Sequence, residues 1–214
     1  MPQKIPLILS FLLFSACQNP RQPNPTAAPA AAQPTPISAA DTAIAVRESA
    51  QQEQLNLGQQ FSTIPIQTKA TKEERKDFED GIIPWVNLDS AERRIANLVD
   101  PDEIVIPYQK VKIMIDYPLA KPIFFELTSL TKGFTRKQII LAISKKYHQI
   151  YDEEEKTAKI KTIPLKDRKE LANRNQTDGK YGIWGHDLSD LALTGIIVYQ
   201  TPDGTILLDL DIDS

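Results

Sequence analysis

The chain has 214 residues and a net charge of −3. Acidic and basic residues are mixed beyond residue 40, which excludes the concentrated basic surface that nucleic-acid binding requires. Its single cysteine excludes an internal disulfide, so a hydrophobic core has to hold the fold.

The N-terminus reads MPQKIPLILSFLLFSAC. Lys4 supplies a positive start. Ile5 to Phe14 is an apolar run interrupted by Pro6 and Ser10, and Ser15 and Ala16 are small residues at a cleavage position. This pattern predicts an export signal over 1–16, too short to span a bilayer. Phe14-Ser15-Ala16-Cys17 resembles the lipobox of bacterial lipoproteins, with Phe14 where Leu is usual. The resemblance covers the first 17 residues and no more. It implies a signal cut before Cys17, a diacylated Cys17 thiol (palmitate among the chains) and attachment to a lipid bilayer of the bacterial cell envelope. Two or three acyl chains anchor stably where one does not. Gln18 in place of Asp implies, by the same analogy, the outer membrane of a Gram-negative host. The alternative is an ordinary cleaved signal and a secreted soluble domain.

Residues 17–40 are rich in Pro and Ala, with Pro at 20, 23, 25, 29, 34 and 36 and one charge, Arg21. Such a segment lacks the apolar surface to fold, and proline favours extended backbone, so a disordered tether is predicted. A flexible coil of about 50 residues would reach some 40 Å root-mean-square. Residues 41–70 read as a marginal helix or a disordered stretch, because Asp41–Leu57 has helix formers but a thin apolar stripe. A single domain is expected over 71–214.

Within that domain Thr71 and Glu74 form a capping-box pattern that predicts a helix ending at Gly81. SAERRIANLV, capped by Asp89 or Ser90 and stopped before Pro101, predicts a second short helix. Val111, Ile113, Ile115 and Tyr117 alternate with Lys110, Lys112, Met114 and Asp116, the period of a half-buried strand. Ile123–Leu127 is a second strand, and the two are expected to pair across PLAKP. Thr135 and Gln138 cap the strongest helix. Ile139, Ile140, Ile143, Tyr147, Ile150 and Tyr151 form its apolar stripe. Residues 195–200 and 205–213 flank Thr-Pro-Asp-Gly, strong turn chemistry for a hairpin. The expected fold is therefore α+β: a small antiparallel sheet of two N-terminal strands and a C-terminal hairpin, packed on one long helix, with short helices before it.

The segment KYGIWGHDLSDL, Lys180–Leu191, carries the main chemical candidates. His186 with Asp187 or Asp190 suits general-base work or a divalent metal. Adjacent His186 and Asp187 diverge in extended backbone, however. His148, His186, Asp187 and Asp190 superficially resemble the metal-binding pattern of HD phosphohydrolases, which are all-helical and carry a further histidine at a different spacing. Tyr181 and Trp184 are the ligand-binding candidates. A structural corner accounts for more of the segment: Asp178-Gly179 signals a turn, Trp184 anchors, and Asp187 caps a short turn. Asp209, Asp211 and Asp213 at period two are a candidate Ca²⁺ face, spaced about 6.5–7 Å along a strand, so further ligands are needed. The competing reading is the solvent face of that strand, with Lys110 and Lys112 opposite the aspartates if the two strands pair.

No nucleophile elbow and no His-Glu-x-x-His occurs, and no cofactor is predicted. The expected function is a membrane-anchored envelope lipoprotein whose domain binds an envelope protein or ligand. The alternative is an envelope hydrolase, metal-dependent or not, using His186 with Asp187 or Asp190.

Overall fold

The computed structural model describes residues 57–168 and 173–214. The export signal, Cys17, the proline-rich tether and, of the segment 41–70 expected to be a marginal helix or disordered, residues 41–56 lie outside the described residues. Among the described residues no helix is long and apolar enough to cross a membrane.

In chain order the strands are β1 (Gln59–Pro65), β2 (Thr68–Lys69), β3 (Ile82–Ile83), β4 (Val86–Asn87), β5 (Ile104–Ile106), β6 (Lys110–Ile115), β7 (Ile123–Thr128), β8 (Phe134–Thr135), β9 (Ala192–Gln200) and β10 (Ile206–Asp213). The helices are α1 (Ala91–Arg94) and α2 (Arg136–Thr157). A six-stranded sheet has the order β1-β9-β10-β6-β7, with β4 added against β9. β10 runs parallel to β6, Leu207 opposite Lys112, whereas the other pairs are antiparallel. Two small sheets, β2 with β3 and β5 with β8, lie apart from it.

Thr135 opens α2 through a reciprocal capping box: its hydroxyl accepts from the Gln138 N–H at 3.3 Å, and Gln138 Oε1 accepts from the Thr135 N–H at 2.9 Å. Two orphan donors at the helix start are thereby satisfied. Ile139, Ile140, Ile143, Tyr147 and Ile150 are fully buried. They share one hydrophobic cluster with Val111, Ile113 and Ile115 of β6, Ile196 and Val198 of β9, and Leu208 and Leu210 of β10. Here the 3.6-residue period of the helix meets the two-residue period of the strands, as the sequence predicts.

The expected architecture needs correcting. A large mixed sheet dominates the fold, not a small antiparallel one, and among the described residues α2 is the only long helix. β1, which falls in the segment expected to be a marginal helix or disordered, supplies one of the extra strands. It buries only Ile64, so it shows no alternation to detect. The short helices are also smaller than expected. Thr71 and Glu74 do make their reciprocal hydrogen bonds, but only a 3₁₀ turn, Glu74–Lys76, follows. That turn buries no residue, and a cap without an apolar stripe does not propagate a helix. The second expected helix is four residues of α1 and a 3₁₀ turn at Ile95–Asn97.

The parallel pairing also changes the charge pattern. Both strands begin at the same end, so the lysines of β6 lie beside the start of β10 and its aspartates run toward Asp116. Lys110 pairs instead with Glu126 of β7, at 2.9 Å.

Candidate functional site

The irregular chain between α2 and β9 is built around Glu154, a residue of α2 with no exposed surface. Its Oε1 accepts from the Thr177 hydroxyl at 2.6 Å and the Gly179 N–H at 2.8 Å. Its Oε2 accepts from the N–H groups of Tyr181 and Gly182 at 2.7 and 3.1 Å. Burial raises the affinity of this carboxylate for a proton. The Thr177 hydroxyl and the three N–H groups outweigh burial and hold it below its ordinary range. Gly179 is required there, because a Cβ would lie 2.7 Å from Glu154 Cδ. Gly182 has φ 68°, backbone that L side chains rarely adopt.

The same loop is stitched to the β6–β7 connection. Ala120 and Lys121 donate their N–H groups to the carbonyls of Gly182 and Tyr181, at 3.0 and 3.1 Å. Leu119 forms a bridge with Ile183. Trp184, 2% exposed, stands edge-on to Tyr117 with ring centroids 5.4 Å apart. The His186 ring lies 5.5 Å from Tyr117 and 6.2 Å from Trp184. The Tyr151 hydroxyl donates to the His186 carbonyl at 2.9 Å.

Asp187 is held by two arginines, with Arg168 Nη2 at 2.8 Å and Arg174 Nε at 3.6 Å. Both arginine side chains are 3% exposed. The Arg174 guanidinium also lies over the Tyr151 ring, 5.5 Å from its centroid. Asp190 turns back, its Oδ2 accepting from the Asp187 N–H at 2.8 Å. The proposed His186–Asp187–Asp190 constellation is thus gathered in one corner, but each carboxylate serves a structural contact. His148, the other histidine of that pattern, lies at Asp89, with Nε2 3.3 Å from its carbonyl oxygen. Tyr181 is buried, and its hydroxyl bonds to Glu153 Oε2 at 2.5 Å. Neither it nor Trp184 offers a free ring face.

Asp209, Asp211 and Asp213 do not form a metal centre: among the described residues no three His, Cys, Asp or Glu side chains are grouped to hold a metal ion. A register shift between Asp211 and Ile212 interrupts the alternation. Asp209 is half-buried, unlike the solvent-facing residue the period-two reading expects. Burial, and then the neighbouring Asp116 and Asp211 carboxylates, push its carboxyl up to about 6. Asp116 is itself raised by burial. A folded value above the ordinary 3.8 means that the native state binds this proton more tightly than the unfolded chain. The contribution of Asp209 to stability therefore falls as pH rises from 3.8 to about 6 and stays lower above. Asp209→Asn is expected to stabilise the protein by about 1 kcal/mol at neutral pH, after discounting for residual exposure, and to have no such benefit in acid. Urea unfolding at the two pH values checks both halves of that expectation.

One arrangement has no counterpart in the sequence motifs. Thr68, Glu74, Phe78, Ile83, Trp85, Asn87, Ser90 and Arg94 line a cavity of about 230 Å³. These residues come from five short elements and the turns beside them, whose juxtaposition no spacing rule reveals. An aromatic residue among short polar turns, Trp85 in GIIPWVNLDS, was the available signal.

No protein-family model matches the chain, and comparison with curated proteins and with solved structures finds no match either.

Proposed function

We propose that the chain is a bacterial envelope lipoprotein, anchored through acylated Cys17, whose folded domain binds a ligand or partner of the envelope. The observation that carries this reading is Phe14-Ser15-Ala16-Cys17, where the chain's only cysteine ends a charged and apolar export signal. The outer membrane is the expected location in a Gram-negative host. Binding is favoured over hydrolysis because Asp187 is engaged by Arg168 and Arg174, and Asp190 by the Asp187 N–H.

The experiment is labelling with radioactive palmitate in a bacterial host. The wild-type chain takes up label and sediments with membranes, and Cys17→Ser loses both properties. An unlabelled wild-type protein released into the medium would overturn the anchor and leave a secreted domain.

A further inference from the structure

The cavity beside Trp85 is the strongest unassigned feature of the domain. Its lining includes an ion pair: Arg94 Nη1 lies 3.0 Å from Glu74 Oε1 and 3.3 Å from Oε2. Arg94 Nη2 approaches the buried Thr68 hydroxyl at 3.4 Å. The Thr71 N–H, foremost, and Arg94 hold the Glu74 carboxyl below its ordinary range. The lining therefore carries one positive and one negative group. Neither an anion nor a cation gains a net opposite charge by entering.

Two aromatic rings, Phe78 and Trp85, also line the cavity. Phe78 and Trp85 meet edge to face, centroids 5.4 Å apart, and both are only half-buried. Asn87 and Ser90 complete the lining, with Asn87 Oδ1 fixed by the Ser90 N–H at 3.1 Å and its hydroxyl at 3.2 Å. At about 230 Å³, the cavity is smaller than the roughly 300–1,000 Å³ typical of drug-sized sites. It suits a single ring with short substituents.

A purely apolar ligand would cover the remaining hydrogen-bonding capacity of the ion pair and the Ser90 hydroxyl without replacing the water that meets it. A polyhydroxylated ring is different. Its hydroxyls accept from Arg94 and donate to Glu74 and Ser90, since a hydroxyl is both donor and acceptor. Its C–H face packs on the indole, which combines apolar area with tolerance of a wet rim. From this lining of balanced charge, two aromatic rings and both donors and acceptors, we infer that the cavity binds one unit of an uncharged saccharide. The inference deepens the proposed binding function and rests on it for the envelope setting alone.

Intrinsic fluorescence reads the site selectively, because Trp184 is 2% exposed and Trp85 borders the cavity. The full chain carrying Cys17→Ser is titrated with chitotriose and with maltotriose. At least one is expected to give a saturable emission change, with a midpoint on the order of 1 mM or tighter, and to shield the indole from acrylamide. Calorimetry on Trp85→Leu, which retains apolar volume, is expected to show at least a tenfold loss of affinity, about 1.4 kcal/mol, with an unchanged melting curve. Absence of saturable binding by both sugars, or full affinity in a folded Trp85→Leu, would overturn the assignment. The probe protein is not acylated, so failure here leaves the palmitate result standing. Loss of palmitate labelling in the wild type would in turn leave sugar binding intact.

Discussion

Glu154→Ala is expected to destabilise the protein by about 3–5 kcal/mol, read as a drop in the urea midpoint. The substitution removes the acceptor of four hydrogen bonds: from the Thr177 hydroxyl and from the N–H groups of Gly179, Tyr181 and Gly182. All four donors point inward at a residue with no exposed surface, so water does not readily take its place. Glu154→Gln keeps one carbonyl oxygen and is expected to lose roughly half as much. The effect has a defined pH window. The folded carboxyl titrates below the ordinary 4.5, so the native state releases this proton more readily than the unfolded chain. Its contribution is fully present above 4.5 and disappears as pH falls through the lower folded value. Wild type and Glu154→Gln should therefore converge in acid. Equal midpoints at neutral pH would mean that the 177–182 loop is held without this carboxylate.

Asp187→Ala is the second large effect, expected at about 3 kcal/mol or more. The arginines it faces expose only 3% of their side chains, and removing their shared carboxylate leaves two guanidiniums buried beside each other. Burial already pulls Arg174 below its ordinary range, against the opposing influence of Tyr151 and Asp187. Asp187→Asn, which keeps an acceptor but not the charge, should fall between the two. A double-mutant cycle with Arg168→Met isolates the pair, and a coupling of at least about 1 kcal/mol is expected. A protein that loses Asp187 without losing stability would revive the view that this aspartate serves His186 instead of the fold.

Both variants test the corner that the sequence singles out, and the corner is only partly legible there. Asp178-Gly179 and the glycines at 182 and 185 announce a turn, and Gly182 and Gly185 do adopt positive φ, 68° and 74°. What the glycines enclose is not announced. Glu154 sits in a run of acidic residues that reads as a solvated helix face. Of that run, Glu153 remains at the surface with Lys180, whereas Glu154 is the centre of the loop. The difference is a rotation of about 100° per residue around the helix axis. It matters only because a loop from residues 177–182 passes that side. Arg168 and Arg174 are likewise ordinary basic residues until Asp187 lies between them.

The outer strands follow the same logic. β7 alternates half-buried and exposed residues, and β6, β9 and β10 alternate over part of their length, broken where Ile113–Ile115, Gly195–Ile196 and Ile206–Leu208 are buried in succession. β1 exposes most of its length and pairs through backbone groups, which are common to every residue type. β4 is two residues long, too short for any period. The parallel contact of β6 with β10 joins residues nearly a hundred positions apart, and its direction depends on how the intervening helix and loop return the chain.

The sequence by itself determined what local chemistry decides: the capped α2 with its isoleucine stripe, the β6–β7 pair across PLAKP, and the hairpin closed by Thr-Pro-Asp-Gly. Caps, periods and turn residues act over a few positions, so they are written in consecutive residues. Tertiary structure alone decided the mixed six-stranded sheet, the burial of Glu154, the pairing of Asp187 with two arginines, and the assembly of the Trp85 cavity. Each depends on the meeting of segments distant in the chain, where desolvation and hydrogen-bond geometry, absent from any local pattern, set the outcome.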